Sequence, residues 1–229
     1  VTDGTAFGWM RAAATLLLAL LAHAGINVFN DYCDHLNGTD ARNTQRIYPF
    51  TGGSRFIQNG VLTPQQVLGF AWGLFAATIV GGLWLLGVAG ASLFWIGLVG
   101  LLIGWAYSAP PLQLNSRGLG ELCVAAGFLL IVAGADTVQR GALAPLPWLA
   151  GMPYALLVTN ILYINQFPDR AADRASGKLH WVARLDPGTA AWGYGLILLL
   201  AAGVLVSGIL LDVLPLAAAG VLVAWIPAM

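Results

Sequence analysis

The sequence predicts an all-α polytopic membrane protein, a helical bundle around a central cavity. Composition is the first reason: of 229 residues, 59% are hydrophobic and 9% charged, where a soluble domain carries about 25% charged residues. Hydropathy is the second, with a mean of +0.78. The third is seven apolar runs, at residues 9–26, 67–88, 91–107, 119–135, 147–164, 190–211 and 213–226. Most of them reach the roughly 17–25 residues a spanning helix needs. Glycine and proline inside such helices are tolerated, so the 29 glycines do not oppose the assignment. The chain opens on Val1 and stops within its last apolar run, so flanking helices are expected beyond both ends of a single domain covering residues 1–229.

Local signals place each element. The first run continues into Asn30-Asp31-Tyr32-Cys33-Asp34, which puts these acids on the last turns of its helix. A polar segment follows from residue 35 to 60, and so long a connection in a compact bundle is usually functional. Thr63-Pro64-Gln65-Gln66 reads as an N-cap, a proline at the first helical position and a capping-box glutamine. The third run stops at Tyr107-Ser108-Ala109-Pro110-Pro111, because paired prolines break a helix. A second acidic group, Asp169-Arg170-Ala171-Ala172-Asp173, follows the fifth run, and Asp186-Pro187 opens the sixth. The set Asn27, Asn30, Asp31 and Asp34 is echoed by Asn160, Asn165, Asp169 and Asp173, a weak internal repeat of the kind that builds membrane sites.

Charge sets the topology. The loops after runs one, three and five hold Arg42, Arg46, Arg55, Arg117, Arg170, Arg174, Lys178 and Arg184, and only Arg11 and Arg140 fall opposite. The positive-inside rule places the larger group in the cytoplasm. Both acidic groups lie on that face, and with Asp40 they hold five of the ten acidic residues. The expected location is therefore the cytoplasmic membrane, with these loops facing the cytoplasm and the lipid bilayer as solvent.

Carboxylates spaced i,i+3 or i,i+4 share one helix face. Aspartates with asparagines, and no matching Cys/His set, select a hard cation with oxygen ligands. His23, His35 and His180 lack zinc-ligand spacing. Two such acidic pairs facing one another would cage Mg²⁺ and a diphosphate. Arg46, Arg55, Lys178 and Arg184 would neutralise its outer oxygens and the charge building on a departing diphosphate. Cys33 and Cys123 imply no disulfide framework. The tryptophans read as interface anchors. His23 reads as a hydrogen-bonded interior residue, and Asp136, Arg140 and Asp212 mark helix ends on the far face.

These residues resemble the UbiA-type intramembrane prenyltransferases, with their N-D-x-x-D and D-x-x-x-D motifs. Asn30 to Asp34, with Gly38 and Asp40, is similar to the 1,4-dihydroxy-2-naphthoate branch. The likeness continues through Gly52-Gly53-Ser54-Arg55, Ile57-Gln58-Asn59-Gly60, Tyr107 to Leu112, Arg117 to Glu121, and Lys178 with Val182 to Leu185. The chain departs from the pattern at Gly38, Gln113, His180-Trp181 and Asp186. The resemblance implies nine helices, seven of them here. It implies Mg²⁺-dependent transfer of a polyprenyl group from a polyprenyl diphosphate to an aromatic acceptor, 1,4-dihydroxy-2-naphthoate in menaquinone synthesis, or alternatively 4-hydroxybenzoate or another quinone precursor. By position, Asp31, Asp34, Asp40, Asp169 and Asp173 would hold metal. Asn27, Asn30 and Asn165 would assist, Tyr107 would face the cation or phosphate, and Lys178 would face the phosphate. No nucleic acid is expected as a partner. Two rivals are a CDP-alcohol phosphotransferase, which lacks its Gly and Asp at Thr51 and Arg55, and an ion-coupled transporter, whose acids would lie mid-helix.

Overall fold

The computed structural model describes residues 6–224. Among these residues, six helices are long and apolar enough to cross a membrane. They are α1 (Trp9–Asn37), α3 (Pro64–Ala89), α4 (Ala91–Ser108), α5 (Gly120–Arg140), α6 (Leu146–Ala175) and α8 (Pro187–Leu210). Two four-residue helices lie in the connections, α2 (Thr39–Arg42) and α7 (Trp181–Arg184). The expected seventh span is not a long helix among the described residues. A 3₁₀ turn at Leu216–Ala219 leads into α9 (Gly220–Ala224), and the rest of that run lies outside them.

The helix boundaries follow from local chemistry. The Thr63 hydroxyl accepts from the Gln66 amide, and the Gln66 side chain accepts from the Thr63 amide, so the capping box starts α3 as expected. Asp186 caps α8 by accepting from the Thr189 amide; those hydrogen bonds hold its carboxyl below the usual range. The proline pair follows the end of α4. Two helices run beyond their apolar segments. α1 continues to Asn37 and α6 to Ala175, so both acidic motifs are helical. Pro168 lies immediately before Asp169 inside α6, and its missing N–H frees a carbonyl one turn back.

The bundle closes by small residues meeting large ones. α1 packs on α3, α5 on α4 and α6, and α6 on α8. Phe29, Cys33, Ala71, Phe75 and Ala109 form a core cluster under the first motif. Gly25 lets α3 approach there, since a Cβ on it would lie 3.2 Å from the Phe75 ring. Such close contact drives helix association where lipid offers no hydrophobic gain. The opposite faces carry Trp84, Trp95, Trp192, Leu199 and Leu210, all exposed, as an apolar solvent allows. The chain is an integral membrane protein.

The connections at the acidic end are tied to one another. Arg170 donates from Nε to the Val182 carbonyl at 2.9 Å and from Nη2 to Leu185 at 2.7 Å, fastening α7 to α6. Trp181 donates to the Gly118 carbonyl at 2.8 Å, and the Leu179 amide to Ser116 at 3.0 Å. The loops after α4 and α6 are thus joined above the bundle.

Candidate active site

Asp31 and Asp34 stand on the last turns of α1, and the chain then turns at Gly38, whose φ of 78° is left-handed. That conformation suits glycine. Two residues later Asp40 stands in α2, 3% exposed. Burial, reinforced by the charges of Asp34 and Asp31, pushes the Asp40 carboxyl up to about 7.

The loop between α2 and α3 folds back over these acids. Its fold is held by Arg55, which donates from Nη1 to the Asp40 carbonyl at 2.8 Å and to that of Asn43 at 3.4 Å. Gly52 and Gly53 both have positive φ. The Gly52 amide donates to Asp169 Oδ2 at 3.1 Å, and the Ser54 amide to Asp31 Oδ2 at 3.2 Å. Asn43 Nδ2 donates to Asp169 Oδ1 at 2.6 Å. This one loop therefore binds a carboxylate from each motif. Gly53 lies between them: a Cβ there would be 2.9 Å from Asp31 Oδ1 and 3.1 Å from Asp40 Oδ2.

Lys178 joins the motifs a second time. Its Nζ lies 2.8 Å from Asp34 Oδ2 and 3.8 Å from Asp173 Oδ1. Burial opposes its charge, yet Asp34 and Asp173 outweigh that and hold the ammonium above the ordinary lysine range. Asn37 Nδ2 donates to the other oxygen of Asp34 at 3.2 Å. On Asp173, the second oxygen meets His180 Nε2 at 2.9 Å. His180 is 1% exposed, and its Nδ1 accepts from the Ala183 amide at 3.2 Å. An imidazole nitrogen that accepts carries no proton, so Nε2 holds it and donates to Asp173.

Below this acidic lid lies a cavity of about 820 Å³, open between α1, α3, α4, α5 and α6. Asn27, Asn30, Asp34, Asp40, Tyr107, Asn165, Asp169, Asp173 and Lys178 line it. Asn30 is anchored to the Ser108 hydroxyl at 2.9 Å. Asp31 turns its oxygens to the loop. Arg46, Arg55 and Arg184 lie off the cavity wall. Arg46 stands over the Tyr48 ring at 5.5 Å, Arg184 over Trp181 at 5.8 Å, and Arg55 is held by the two carbonyls.

Asp34, Asp40, Asp169, Asp173 and Lys178 thus meet at one mouth with Asp31 turned to the loop beside them, whereas Arg46, Arg55 and Arg184 do not join them. Four further contributors, Asn43, Gly52, Ser54 and His180, were not singled out as site residues by the sequence. Asn43 belongs to no motif, and Gly52 and Ser54, though within the Gly52-Gly53-Ser54-Arg55 run, act through backbone amides that the motif does not reveal. His180 stood out only as a departure from the family pattern.

The arrangement pairs a carboxylate-rich rim with an elongated apolar chamber, which suits a metal-bound polar head on a long hydrocarbon tail. The sequence pattern of the UbiA prenyltransferase family matches residues 1–229. The chain belongs to the UbiA prenyltransferase family. It is 31% identical over 196 residues to the 1,4-dihydroxy-2-naphthoate octaprenyltransferase of Escherichia coli, covering 80% of this chain and 62% of that protein. The corresponding enzyme of Bacillus subtilis is 28% identical over 169 residues, 72% of this chain and 51% of that protein. Chlorophyll synthase of Arabidopsis thaliana is 27% identical over 146 residues, 60% of this chain and 37% of that protein. The chain thus spans only about half to 62% of the length of these two naphthoate relatives. No solved structure matches it.

Proposed function

We propose that this chain is the membrane core of a Mg²⁺-dependent prenyltransferase, moving a polyprenyl group from its diphosphate to an aromatic acceptor, 1,4-dihydroxy-2-naphthoate. One observation carries the reading: a single ammonium, Lys178, touches a carboxylate of each motif across the cavity mouth.

The donor set fits magnesium. It is all oxygen, and Gly53 leaves room beside Asp31 and Asp40 that a Cβ would fill. The Asp40 carboxyl is raised first by its burial and only then by the charges of Asp34 and Asp31. Among the described residues no three acidic, His or Cys groups are set to hold an ion by themselves. Mg²⁺ does not require such a cluster, since one or two carboxylates hold it together with substrate phosphates and waters. Asp31, Asp34 and Asp40 would supply one side, and Asp169 and Asp173 the other. Bound there, the metal would neutralise the diphosphate and stabilise it as a leaving group.

The chain's own residues do the rest. Lys178 exchanges Asp34 and Asp173 for phosphate oxygens and stabilises charge on the departing diphosphate. To join it, Arg46, Arg55 and Arg184 must leave their present partners. Tyr107 presents its ring at the mouth, beside the breaking bond between the prenyl carbon and the bridging oxygen. Apolar walls keep water from the allylic cation. The cation bonds to an electron-rich ring carbon, and for a naphthoate acceptor the carboxylate leaves as CO₂. The tail lies along the cavity, and the acidic loops face the cytoplasm.

The test incubates the full-length protein in nanodiscs with geranylgeranyl diphosphate, Mg²⁺ and a mixture of aromatic acceptors, with products read by mass spectrometry. A prenylated, decarboxylated naphthalenediol is expected. Prenylated 4-hydroxybenzoate would reassign the acceptor, and absence of any prenylated product would overturn the proposal.

A further inference from the structure

His23, Asn27, Asn30 and Asp34 all line the cavity, and their spacing of four, three and four places them along one face of α1. Asn30 and Asp34 belong to the mouth. Asn27 lies about 10 Å deeper than Asp34 along the helix axis and His23 about 16 Å deeper, at about 1.5 Å per residue. This depth accommodates a diphosphate followed by a bicyclic ring.

At that depth the wall is mostly apolar, and several of its other polar groups are engaged. The hydroxyls of Thr15 and Thr78 donate to carbonyls of their own helices, each at 2.8 Å. Gln166 turns its amide to Glu121 at 3.0 Å. His23 and Asn27 instead pair with each other, Nε2 to Nδ2, at 3.0 Å. The Phe128 ring stands edge-on to the imidazole at 5.7 Å, which limits how His23 can rotate.

The chemistry this pair presents does not depend on the tautomer. If Asn27 donates to Nε2, His23 offers Nδ1–H and Asn27 offers its carbonyl oxygen. With the amide turned over, His23 offers Nδ1 as acceptor and Asn27 its N–H groups. Either way one donor and one acceptor stand side by side next to an aromatic ring. An aryl hydroxyl is the complementary group, since it donates one proton and accepts another. We propose that His23 and Asn27 form the acceptor subsite of the cavity, holding a hydroxyl of the aromatic ring while Phe128 packs against that ring. The proposal rests on the prenyl-transfer reading and deepens it.

The experiment measures binding without turnover. Full-length wild-type protein, His23→Leu and His23→Gln are titrated with 1,4-dihydroxy-2-naphthoate and with its 1,4-dimethoxy analogue. Mg²⁺-dependent binding of geranylgeranyl diphosphate is measured on the same samples and reports folding. His23→Leu is expected to weaken the dihydroxy ligand about tenfold, the order of one or two hydrogen bonds. It should leave the dimethoxy ligand and the diphosphate unchanged. His23→Gln, which keeps a donor and an acceptor, should recover most of the loss. Unchanged dihydroxy affinity in His23→Leu would overturn the subsite, and so would equal weakening of both naphthoates. Either result beside normal diphosphate binding leaves the prenyl-transfer reading standing. A wild-type protein that binds neither naphthoate nor diphosphate would sink both.

Discussion

Gly53→Ala separates backbone strain from the chemistry of the site. Gly53 has φ 66° and Gly60 φ 69°, so alanine at either position costs about 1–2 kcal/mol for the left-handed backbone. Their surroundings differ. Nothing lies within 4 Å of a Cβ at Gly60, whereas one at Gly53 meets Asp31 Oδ1 at 2.9 Å and Asp40 at 3.1 and 3.3 Å. Those carboxylates must retreat by several tenths of an ångström. The Gly52 and Ser54 amides that hold Asp169 and Asp31 would shift with them. A misplacement of about 1 Å can cost about a hundredfold in rate, so a partial one should lower kcat/KM by about tenfold, or about 1.4 kcal/mol. Both variants should lose thermal stability to the shared backbone strain, Gly53→Ala at least as much as Gly60→Ala, while prenyl transfer falls only in Gly53→Ala and Gly60→Ala stays within about twofold of wild type. Equal activities in the two variants would refute the reasoning.

Three further outcomes follow from the site's electrostatics. Asp40 is raised above its unfolded value, so it favours the fold in its protonated form; that contribution is full below about pH 4 and is lost as pH rises through about 7. With about 1.4 kcal/mol per pKa unit it amounts to a few kcal/mol. Without Mg²⁺, thermal unfolding of the wild type should move down between pH 5 and 8 more than that of Asp40→Asn, and a parallel shift in both would contradict it. Lys178→Gln leaves Asp34 and Asp173 without their cation and should destabilise the protein by about 3–5 kcal/mol, with Mg²⁺ restoring part of the melting temperature. A melting temperature unchanged in Lys178→Gln would show that the ion pairs are not formed. Arg55→Met should reduce diphosphate binding by loosening the loop, with longer-lived amide protons at Gly52 and Ser54 lost in hydrogen exchange; protection equal to wild type would sink that role.

Much of the fold was legible because membranes punish ambiguity. Twenty apolar residues with a Thr63-Pro64-Gln65-Gln66 start have few alternatives to a spanning helix, and the capping box formed as the spacing implied. The acids at i,i+3 and i,i+4 predicted helical presentation, and α1 and α6 run through them. The cations were less legible. Positive charge sets which side of the membrane a loop occupies, but not which atom each guanidinium meets. Arg55 thus serves backbone carbonyls, and Arg46 and Arg184 lie over aromatic rings. Contributions from Gly52 and Ser54 come through main-chain amides, which every residue but proline possesses, and so leave no compositional trace. His180 follows the same logic, since one side chain both caps α7 and steadies Asp173, a dual contact that only the packed structure displays. His23 was read as an interior residue, and its place on the cavity wall depends on how α1 is rotated.

The central claim, that the two aspartate motifs act as one site, is tested most directly by a double-mutant cycle. Mg²⁺-dependent release of diphosphate from a C20 donor is measured for Asp31→Asn, Asp169→Asn and the combination. Groups that act as a unit are strongly non-additive. Each single variant should therefore abolish nearly all release, with the double variant no worse than either. Independent, additive losses, or substantial release surviving in both single variants, would contradict the account.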